Sequence, residues 1–518
     1  MKLKDLIFPI ALALITTMII QYFFFGGKKT QTDDTQVRSG QAFKAPKTRQ
    51  EIKPLNKEID FIDEKRLYPT VETKIETKLA TFVFTNDGAA LSRLEFHGDL
   101  DGDLQAIGTV FPVASTERER KCLLLAMGEK TPYYYKFMGK EETDLAIQVR
   151  YRYDSPNNDI VVDKLFTVYK KTHKIDLMTT VTPKKKLAED QSLQARIFFP
   201  SPIMPQLGKS NVVSAVVVNE KGAVQKTLMS KLDEYVGYLN PKLFGTDSKY
   251  FVQVMIEDPN QFVKRAYYKS EDTVLFSILE GPDFNEKSSW TVSFYFGPKE
   301  EKAMATVDAR LEKTLEYSGW LAPIAKFLLM ILKFLYKYLH NYGLAIIVLT
   351  LLIKLLLLPF SIKAESGMKK RVAFQKKLDY LQKKYKDDKV TLARERAELI
   401  KKHGMPGLGG CLPLLLQLPI FFALTRVLGS SIELYKAPFL WINDLSAKDP
   451  YYILPILISI SMLIQAATTD PKQRFTIIAM ALVFGAISAN FSAGLSLYIF
   501  SSVLLGLIQT ALVKKIKP

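Results

Sequence analysis

The stretch GLAIIVLTLLIKLLLLPF, residues 343–360, decides how the rest of the chain is interpreted, because one lysine interrupts an otherwise apolar run. A run of this length is typical of a helix that crosses a membrane. Holding the Lys354 ammonium at the depth of the bilayer centre costs about 2.5–3.5 kcal/mol, so such a charge usually marks a place where something polar binds or passes. The alternative is that the lysine stem reaches the interface near Pro359, about 9 Å away along the helix.

Further apolar runs lie on both sides of this stretch. Four of them follow it, at residues 411–428, 451–467, 475–490 and 491–513. Together with the first run they predict five membrane-spanning helices. Near the start of the chain, residues 6–25 form another apolar run after Lys2 and Lys4. This run is too long for the core of a signal peptide and no small-residue cleavage site follows it, so residues 1–26 are predicted to be an uncleaved transmembrane anchor.

The charged residues predict the orientation of the chain in the membrane. The net charge of the 518 residues is +18, which could indicate nucleic-acid binding, but the basic residues concentrate beside the apolar runs. The insert at 361–410 contains 14 Lys/Arg and 6 Asp/Glu, a net charge of +8, whereas the loop at 429–450 carries −1. Since basic loops stay in the cytoplasm, the insert, the short basic tail 514–518 and the N-terminus are predicted to be cytoplasmic. We do not expect DNA as a partner.

Residues 67–315 predict an all-β domain on the other side of the membrane, after a polar linker at 27–66. Stretches such as KLATFVFTN, IQVRYRYD, KIDLMTTVT and WTVSFYFG alternate or cluster β-branched and aromatic residues, and turn signals separate them. About 15–20 such strands indicate a two-sheet sandwich of unusual size. The few histidines and the two distant cysteines, Cys122 and Cys411, show no ligand or nucleophile pattern, so neither a metal nor a cofactor is expected.

Two more helical segments are predicted around the first span. Before it, residues 316–342 form an apolar helix with a basic stripe, which is typical of a helix that lies in the membrane interface. After it, the insert 361–410 is predicted to form an antiparallel helical hairpin that breaks near residues 386–389. Its apolar positions step by four, three and four residues, as in a coiled-coil seam: Phe374, Leu378, Leu381 and Tyr385. The hairpin is either a solvated basic element or a docking surface for anionic partners, with Lys376, Lys377, Lys383 and Lys384 as the candidate contacts.

Polar residues recur within the predicted spans. Thr350 and Lys354 are one helical turn apart and share a face. The candidate groove residues on the other spans are Gln417, Tyr498, Ser502 and Gln509, of which the last three fall within about 40° on one helix. Each could simply join two helices by a hydrogen bond. The five runs contain no acidic residue, so the partner of Lys354 is expected to come from outside the protein, in a hydrated and positively charged cavity.

At this point the sequence resembles the YidC family of membrane protein insertases in its Gram-negative form. The matching stretches are NYGLAIIVLTLLIKLLLLPFS, GLGGCLPLLLQLPIFFAL, APFLWINDLSAKDPYYILPIL and SAGLSLYIF. The resemblance implies a five-helix core whose hydrophilic groove is open to the cytoplasm and to lipid, and a periplasmic β-supersandwich like that of sugar mutarotases. It also places Lys354 where the family more often has an arginine that attracts the polar part of a substrate. Thr350 and Tyr498 match further groove positions.

The predicted function is therefore that of an insertase and chaperone in the bacterial inner membrane, with no enzymatic activity. It would move hydrophobic segments and short polar flanks of nascent membrane proteins from the cytoplasm into the lipid bilayer, alone or with the Sec translocon. Ribosome contact, if any, would use the 361–410 hairpin. Two other functions are considered. A transporter would be expected to show internal repeats, and a carbohydrate enzyme built on the β domain would need a general acid/base pair; neither feature is evident.

Overall fold

The structure is a computed structural model whose described residues form two compact units, divided in sequence between residues 314 and 321. We call them the β domain (61–314) and the helical unit (321–516). The described residues are 61–100, 103–110, 121–127, 131–155, 159–184, 193–202, 212–219, 222–232, 235–271, 274–314, 321–386, 388–403, 412–467 and 471–516. The predicted anchor at 1–26 and most of the predicted linker at 27–66 lie outside them.

The β domain contains eighteen described strands, which confirms the all-β prediction; the strands are numbered along the chain. The four-stranded sheet has the order β1 (Glu72–Glu76), β2 (Ala80–Thr85), β3 (Ala90–Leu100), β4 (Asp103–Val110). The described strands form three sheets where the sequence predicted two, because β1 to β4 pair only with one another. The five-stranded sheet has the order β13 (Tyr235–Leu239), β16 (Arg265–Glu271), β17 (Val274–Phe284), β10 (Leu193–Pro200), β5 (Leu124–Met127). The nine-stranded sheet has the order β12 (Val224–Leu228), β11 (Ser214–Val218), β14 (Leu243–Asp247), β15 (Phe251–Glu257), β18 (Ser288–Pro298), β9 (Lys174–Pro183), β8 (Ile160–Tyr169), β7 (Ala146–Asp154), β6 (Lys136–Glu142).

The alternation of side chains along β8 shows how the sequence builds this core. Val162, Phe166 and Val168 point inward and are buried, while Asp163, Leu165 and Thr167 point outward and are partly exposed. Fully burying an aliphatic or aromatic side chain of this size contributes about 1.5–3 kcal/mol. Lys164 occupies an inward position of the same strand and is also fully buried. The period of the strand therefore carries a lysine into the core, which is a costly place for a charge without partners.

The end of the predicted linker packs on the β domain. Phe61 forms an isolated parallel bridge with Thr131, and its ring lies 5.3 Å from that of Tyr133. Arg66 pairs with Asp87 at 2.7 Å. These contacts attach the chain to the domain from residue 61 onward.

The described helices are numbered separately. In the β domain, α1 (Glu301–Ala305) precedes a 3₁₀ helix at Ala309–Thr314. In the helical unit they are α2 (Ala322–Leu339), α3 (Tyr342–Lys384), α4 (Lys389–His403), α5 (Leu412–Ser430), α6 (Ile453–Ala467), α7 (Pro471–Ser488) and α8 (Ala493–Ile516), with a 3₁₀ turn at Ile432–Leu434. Among the described helices, two stretches are long and apolar enough to cross a membrane, Tyr342–Ile362 and Ala493–Leu512. Three shorter apolar helices are Gln417–Gly429, Ile453–Ala466 and Ile477–Ser488.

Helix α3 continues through Pro359, where the sequence predicted that the first span would end. Proline lacks an N–H group, so the residue four positions earlier loses one helical hydrogen bond. Ending the helix there would free several backbone groups instead of one, which is worse in apolar surroundings. The first helix of the predicted hairpin is therefore an extension of α3. It ends at Lys384, and Asp388 caps α4 by accepting hydrogen bonds from the backbone N–H groups of Val390 and Thr391.

Helix α2 contacts the rest of the helical unit on one face and is apolar on another. Leu332 is fully buried, and the helix packs against α3 and α5. Lys333, in the middle of the predicted basic stripe, pairs with Glu433 of the 3₁₀ turn at 2.6 Å. A row of exposed apolar side chains lies beside the lysines and consists of Phe327, Met330, Phe334 and Tyr338. The basic stripe is therefore narrow, and one of its lysines, Lys333, forms an ion pair within the helical unit.

Candidate functional site

The candidate site lies where α3, α5 and α8 meet. Helix α8 packs against α3, α5 and α6, so it is the central helix of the unit. Lys354 is half-buried on α3, between the buried side chains of Ile353 and Leu357 and the exposed side chains of Leu355 and Leu356. It therefore stands at the border between the packed face and the outer face of α3. Among the described residues, Lys354 makes no hydrogen bond and no ion pair.

Gly506 of α8 lies opposite Lys354. A Cβ atom placed on Gly506 would be 3.9 Å from the Lys354 Nζ, and apart from its chain neighbours and the backbone of its own helix no other described atom would lie within 4 Å of it. The missing side chain therefore leaves open space on one side of the ammonium. On α8, Thr510 donates a hydrogen bond to the Gly506 carbonyl at 3.0 Å, which binds that carbonyl within its own helix. The ammonium faces a part of α8 that offers it neither a side chain nor a free local carbonyl.

A polar cluster joins α5 to α8 one helical turn before Gly506. The Gln417 amide nitrogen donates to the Ser502 hydroxyl at 3.2 Å. The buried Tyr498 hydroxyl lies beside the same Gln417 side chain. Tyr498, Ser502 and Gly506 follow each other at four-residue steps along α8, so the cluster and the open side of Lys354 lie on neighbouring parts of one helix.

The remaining candidate residues are placed in different ways. Thr350 is buried, and its hydroxyl donates to the Ile346 carbonyl at 2.7 Å within α3. Gln509 is half-buried on α8 and makes no hydrogen bond with the described residues. On the hairpin, Lys377, Lys383 and Lys384 are exposed, whereas the side chain of Lys376 lies outside the described part. The structure thus brings Gln417, Tyr498 and Ser502 together and leaves Lys354 beside them.

The end of the unit where α5 leads to α6 is closed by an ordered loop. Asp449 accepts hydrogen bonds from the Trp441 indole at 3.2 Å and from the backbone N–H groups of Tyr451 and Leu454 at 3.1 and 2.7 Å. Asp444 accepts from the backbone of Lys436 and Ser446. These two carboxylates hold the loop in one conformation.

The start of α8 is bound to the same loop. Ala493 and Gly494 donate backbone hydrogen bonds to the carbonyls of Ala447 and Leu445, at 2.6 and 2.8 Å. A side chain at position 494 would lie 3.2 Å from the Leu445 carbonyl, so glycine allows this close approach. The polar cluster is therefore covered at this end by hydrogen-bonded chain.

Comparison with known proteins assigns both units. The family described as "60Kd inner membrane protein" matches residues 334–518, and the family "YidC periplasmic domain" matches residues 73–331. The membrane protein insertase YidC of Geobacter metallireducens is 30% identical over 471 residues, which cover 86% of this chain and 85% of that protein. The chain belongs to the YidC family of membrane protein insertases. It is accordingly an insertase of the inner membrane with a periplasmic all-β domain, and it is not an enzyme.

A second relative and one solved structure are also similar to this chain. The YidC insertase of Syntrophus aciditrophicus is 38% identical over 270 residues, which are about half of each chain. A solved structure of an active YidC insertase covers 87% of this chain and 94% of its own, with 18% identity and a TM-score of 0.38.

Sequence reasoning missed Gly506. A glycine within an apolar helix usually indicates close helix packing, and nothing in the residue type shows that a lysine of another helix faces it. The available signal was its position on α8, four residues after Ser502 and three before Gln509. A helical wheel places it beside the polar stripe, within about 40–80° of the stripe's members.

Proposed function

We propose that this insertase uses Lys354 to attract the acidic or polar flank of a hydrophobic segment, and that the segment then leaves along the helical unit into lipid. The observation that carries the proposal is the half-buried ammonium that has no partner among the described residues and faces the open side of Gly506. An unpaired buried charge is costly. A carboxylate supplied by the substrate would lower that cost while it is bound.

The physical forces act in sequence. A charge held between low-dielectric walls attracts an opposite charge more strongly than it would in water. The polar cluster of Gln417, Tyr498 and Ser502 would then offer hydrogen bonds to the short polar flank as it passes α8. Burial of the apolar segment in lipid supplies about 25 cal/mol per Å² of apolar surface, which drives release. No covalent step and no bound nucleotide is needed.

The proposed membrane arrangement has five spans in the helical unit, α3, α5, α6, α7 and α8, and an anchor at 1–26. Helix α6 has 15 residues, or about 22 Å at the helical rise, against about 30 Å of hydrocarbon. Such short helices would thin the bilayer and lower the barrier to a polar flank. The charge distribution supports cytoplasmic termini and a cytoplasmic hairpin at 361–410, with α2 in the opposite interface.

The partners are nascent membrane proteins and the lipid bilayer, with the Sec translocon as a further partner. The exposed lysines of the hairpin, Lys377, Lys383 and Lys384, together with Lys376, would contact the anionic surface of a ribosome if the chain works during translation. The groove does not depend on that contact, because Lys354 lies on the membrane-embedded part of α3.

The proposal is tested by inserting a single-span substrate with an acidic flank into proteoliposomes. We compare the native chain with Lys354→Ala, Lys354→Arg and Lys337→Ala, the last being a control that removes an exposed lysine of α2. Loss of insertion in Lys354→Ala alone is expected, because arginine keeps the charge. If all four proteins insert the substrate equally, the lysine merely reaches the interface, and the proposed role of its charge is wrong.

A further inference from the structure

Leu440 occupies a conformation that leucine rarely adopts. Phe439 and Ile442 exchange backbone hydrogen bonds of 2.7 and 2.9 Å, which close a two-residue turn around Leu440 and Trp441. Leu440 has φ +52° and is 76% exposed. Glycine or asparagine would satisfy this backbone conformation with less strain. An apolar side chain is thus held away from the protein at a position where both its backbone and its exposure are unfavourable in water.

The rest of the loop fixes the direction of this turn. The Phe439 ring lies against Gly343, where a Cβ atom would come within 2.1 Å of it. The Trp441 indole donates to Asp449 on the other side of Leu440. Strained backbone persists where the surroundings determine it, and such sites are often functional. The turn belongs to the stretch APFLWINDLSAKDPYYILPIL, which contributes no residue to the candidate site around Lys354.

Two exposed tyrosines follow Asp449, whose carboxylate binds the backbone of Tyr451 and whose backbone carbonyl accepts from the Tyr452 N–H. Asp449 Oδ1 accepts from both the Trp441 indole and the Tyr451 backbone. The side chain of Tyr451 is 66% exposed, and that of its neighbour Tyr452 is also exposed. From Tyr452 a row of exposed apolar side chains runs along α6 at four-residue steps: Ile456, Ile460 and Ile464. Tyr452 therefore continues the outer apolar face of α6 before its first residue, and Asp449 binds both the Leu440 turn, through Trp441, and the start of the same helix, through Leu454.

We propose that Leu440, Tyr451 and Tyr452 form a lipid-interface anchor, in the headgroup region of the leaflet at which α5 ends and α6 begins. The occupant is lipid because the surface is continuous with the isoleucine row of a helix that the proposed arrangement places in the bilayer. Tyrosines favour this depth, since the ring is apolar and the hydroxyl is hydrated. Burial of the Leu440 side chain among acyl chains offsets the strain of its backbone. The anchor would fix how deeply the closed end of the unit sits.

The anchor is tested with the full chain in nanodiscs whose lipids carry a spin label at the headgroup. An NBD fluorophore is attached to Leu440→Cys in a background with Cys122→Ser and Cys411→Ser. The controls carry it at Val390→Cys, an 81% exposed residue of the hairpin, and at Ile460→Cys on α6. We expect blue-shifted and quenched emission at 440, and neither change at 390. Emission at 440 that matches 390 would show a water-facing turn and overturn the proposal.

A second measurement needs no label on the turn. With Trp290→Phe and Trp320→Phe, the native Trp441 reports the depth of the loop. We expect lipid quenching of Trp441 to fall in Leu440→Gly, whose backbone accepts the turn without strain, and further when Tyr451→Ser and Tyr452→Ser are added. A blue-shifted label at 440 without lipid quenching would mean that protein covers the turn, and would contradict the lipid assignment. Loss of insertion in Lys354→Ala bears on the groove alone, so the two proposals fail separately.

Discussion

Lys164 in the β domain and Lys354 in the helical unit both stand on apolar faces, but the chain provides for them differently. The Lys164 Nζ donates to the carbonyls of Gly88, Ala89 and Leu123, at 3.2, 2.5 and 2.8 Å. The Lys354 Nζ has no such partner among the described residues and faces Gly506. In the β domain, three backbone carbonyls supply the hydrogen-bond acceptors of the buried ammonium. In the helical unit, the Lys354 ammonium has no acceptor among the described residues, which suits a site whose partner arrives and leaves.

The backbone around Lys164 shows what this completeness requires. Gly88, Ala89 and Leu123 all have positive φ, at +75°, +41° and +62°. Left-handed residues redirect the carbonyl of the peptide unit, so three such residues, of which Ala89 and Leu123 are strained because they are not glycine, direct their oxygens at one ammonium. Burial lowers the pKa of Lys164 to about 7. Enclosing the lysine therefore costs free energy twice, through desolvation of the ammonium and through the left-handed backbone around it. The three hydrogen bonds offset part of that cost.

The largest expected effect follows from removing this lysine. Lys164→Met leaves three buried carbonyls without donors, and we expect the β domain to lose about 4 kcal/mol of unfolding free energy. Lys354→Met should cost the helical unit nothing, because it removes a charge without removing a hydrogen bond. Hydrogen exchange of the full chain, compared for peptides from β8 and from α3, measures both. Lys140→Met is the matched control, because its Nζ donates to one exposed carbonyl. Equal losses of unfolding free energy in Lys164→Met and Lys354→Met would contradict the difference between the two lysines.

A pH dependence should also distinguish the two units. Burial lowers the pKa of His173, on the β domain, from 6.5 to about 4. The unfolded chain therefore binds more protons than the folded one between these pH values, and stability falls as the pH is lowered through that range. The loss is about 3 kcal/mol when it is complete. It should appear in the exchange of β9 and β18 amides. His173→Gln should flatten the profile, and a slope that survives this change would assign it to other groups.

An intermediate effect is expected from filling the open side of Lys354. Gly506→Val places methyl groups beside the Nζ while it keeps the charge. Insertion of a substrate with an acidic flank should fall about tenfold, the equivalent of about 1.4 kcal/mol, whereas a substrate with a neutral flank should be much less affected. Gly429→Val on α5 is the control, because a Cβ atom there meets nothing within 4 Å. If both substrates lose insertion equally, the substitution disturbs packing between α3 and α8, and Gly506 is not an opening.

The two units also differ in how far the sequence predicts them. Alternation predicted strands such as β7, which contains IQVRYRYD, because one face of a strand must be buried wherever the sheet packs. The same period places Lys164 inward, but it does not reveal the carbonyls that accept from its ammonium, since nothing in Ala89 or Leu123 indicates a left-handed backbone. In the helical unit, Lys354 and the α8 stripe could be identified by residue type and period. The position of Lys354 opposite Gly506 could not be predicted, because it depends on how α3 and α8 pack. The run of α3 through Pro359 was not predicted, because local propensity does not include the cost of freeing backbone groups in an apolar medium.

The smallest expected effect concerns the polar cluster. The question is whether this cluster only joins α5 to α8 or also binds the polar flank of the substrate. A hydrogen bond between membrane helices contributes about 0.6 kcal/mol on average. A double-mutant cycle of Gln417→Leu and Ser502→Ala should therefore give a coupling of about that size in the unfolding free energy of the helical unit. If the cluster serves the polar flank, both single variants should also slow insertion of long flanks more than of short ones. A measurable coupling with unchanged insertion would make Gln417 and Ser502 a joint between α5 and α8, and Lys354 would then stand alone as the polar element of the route.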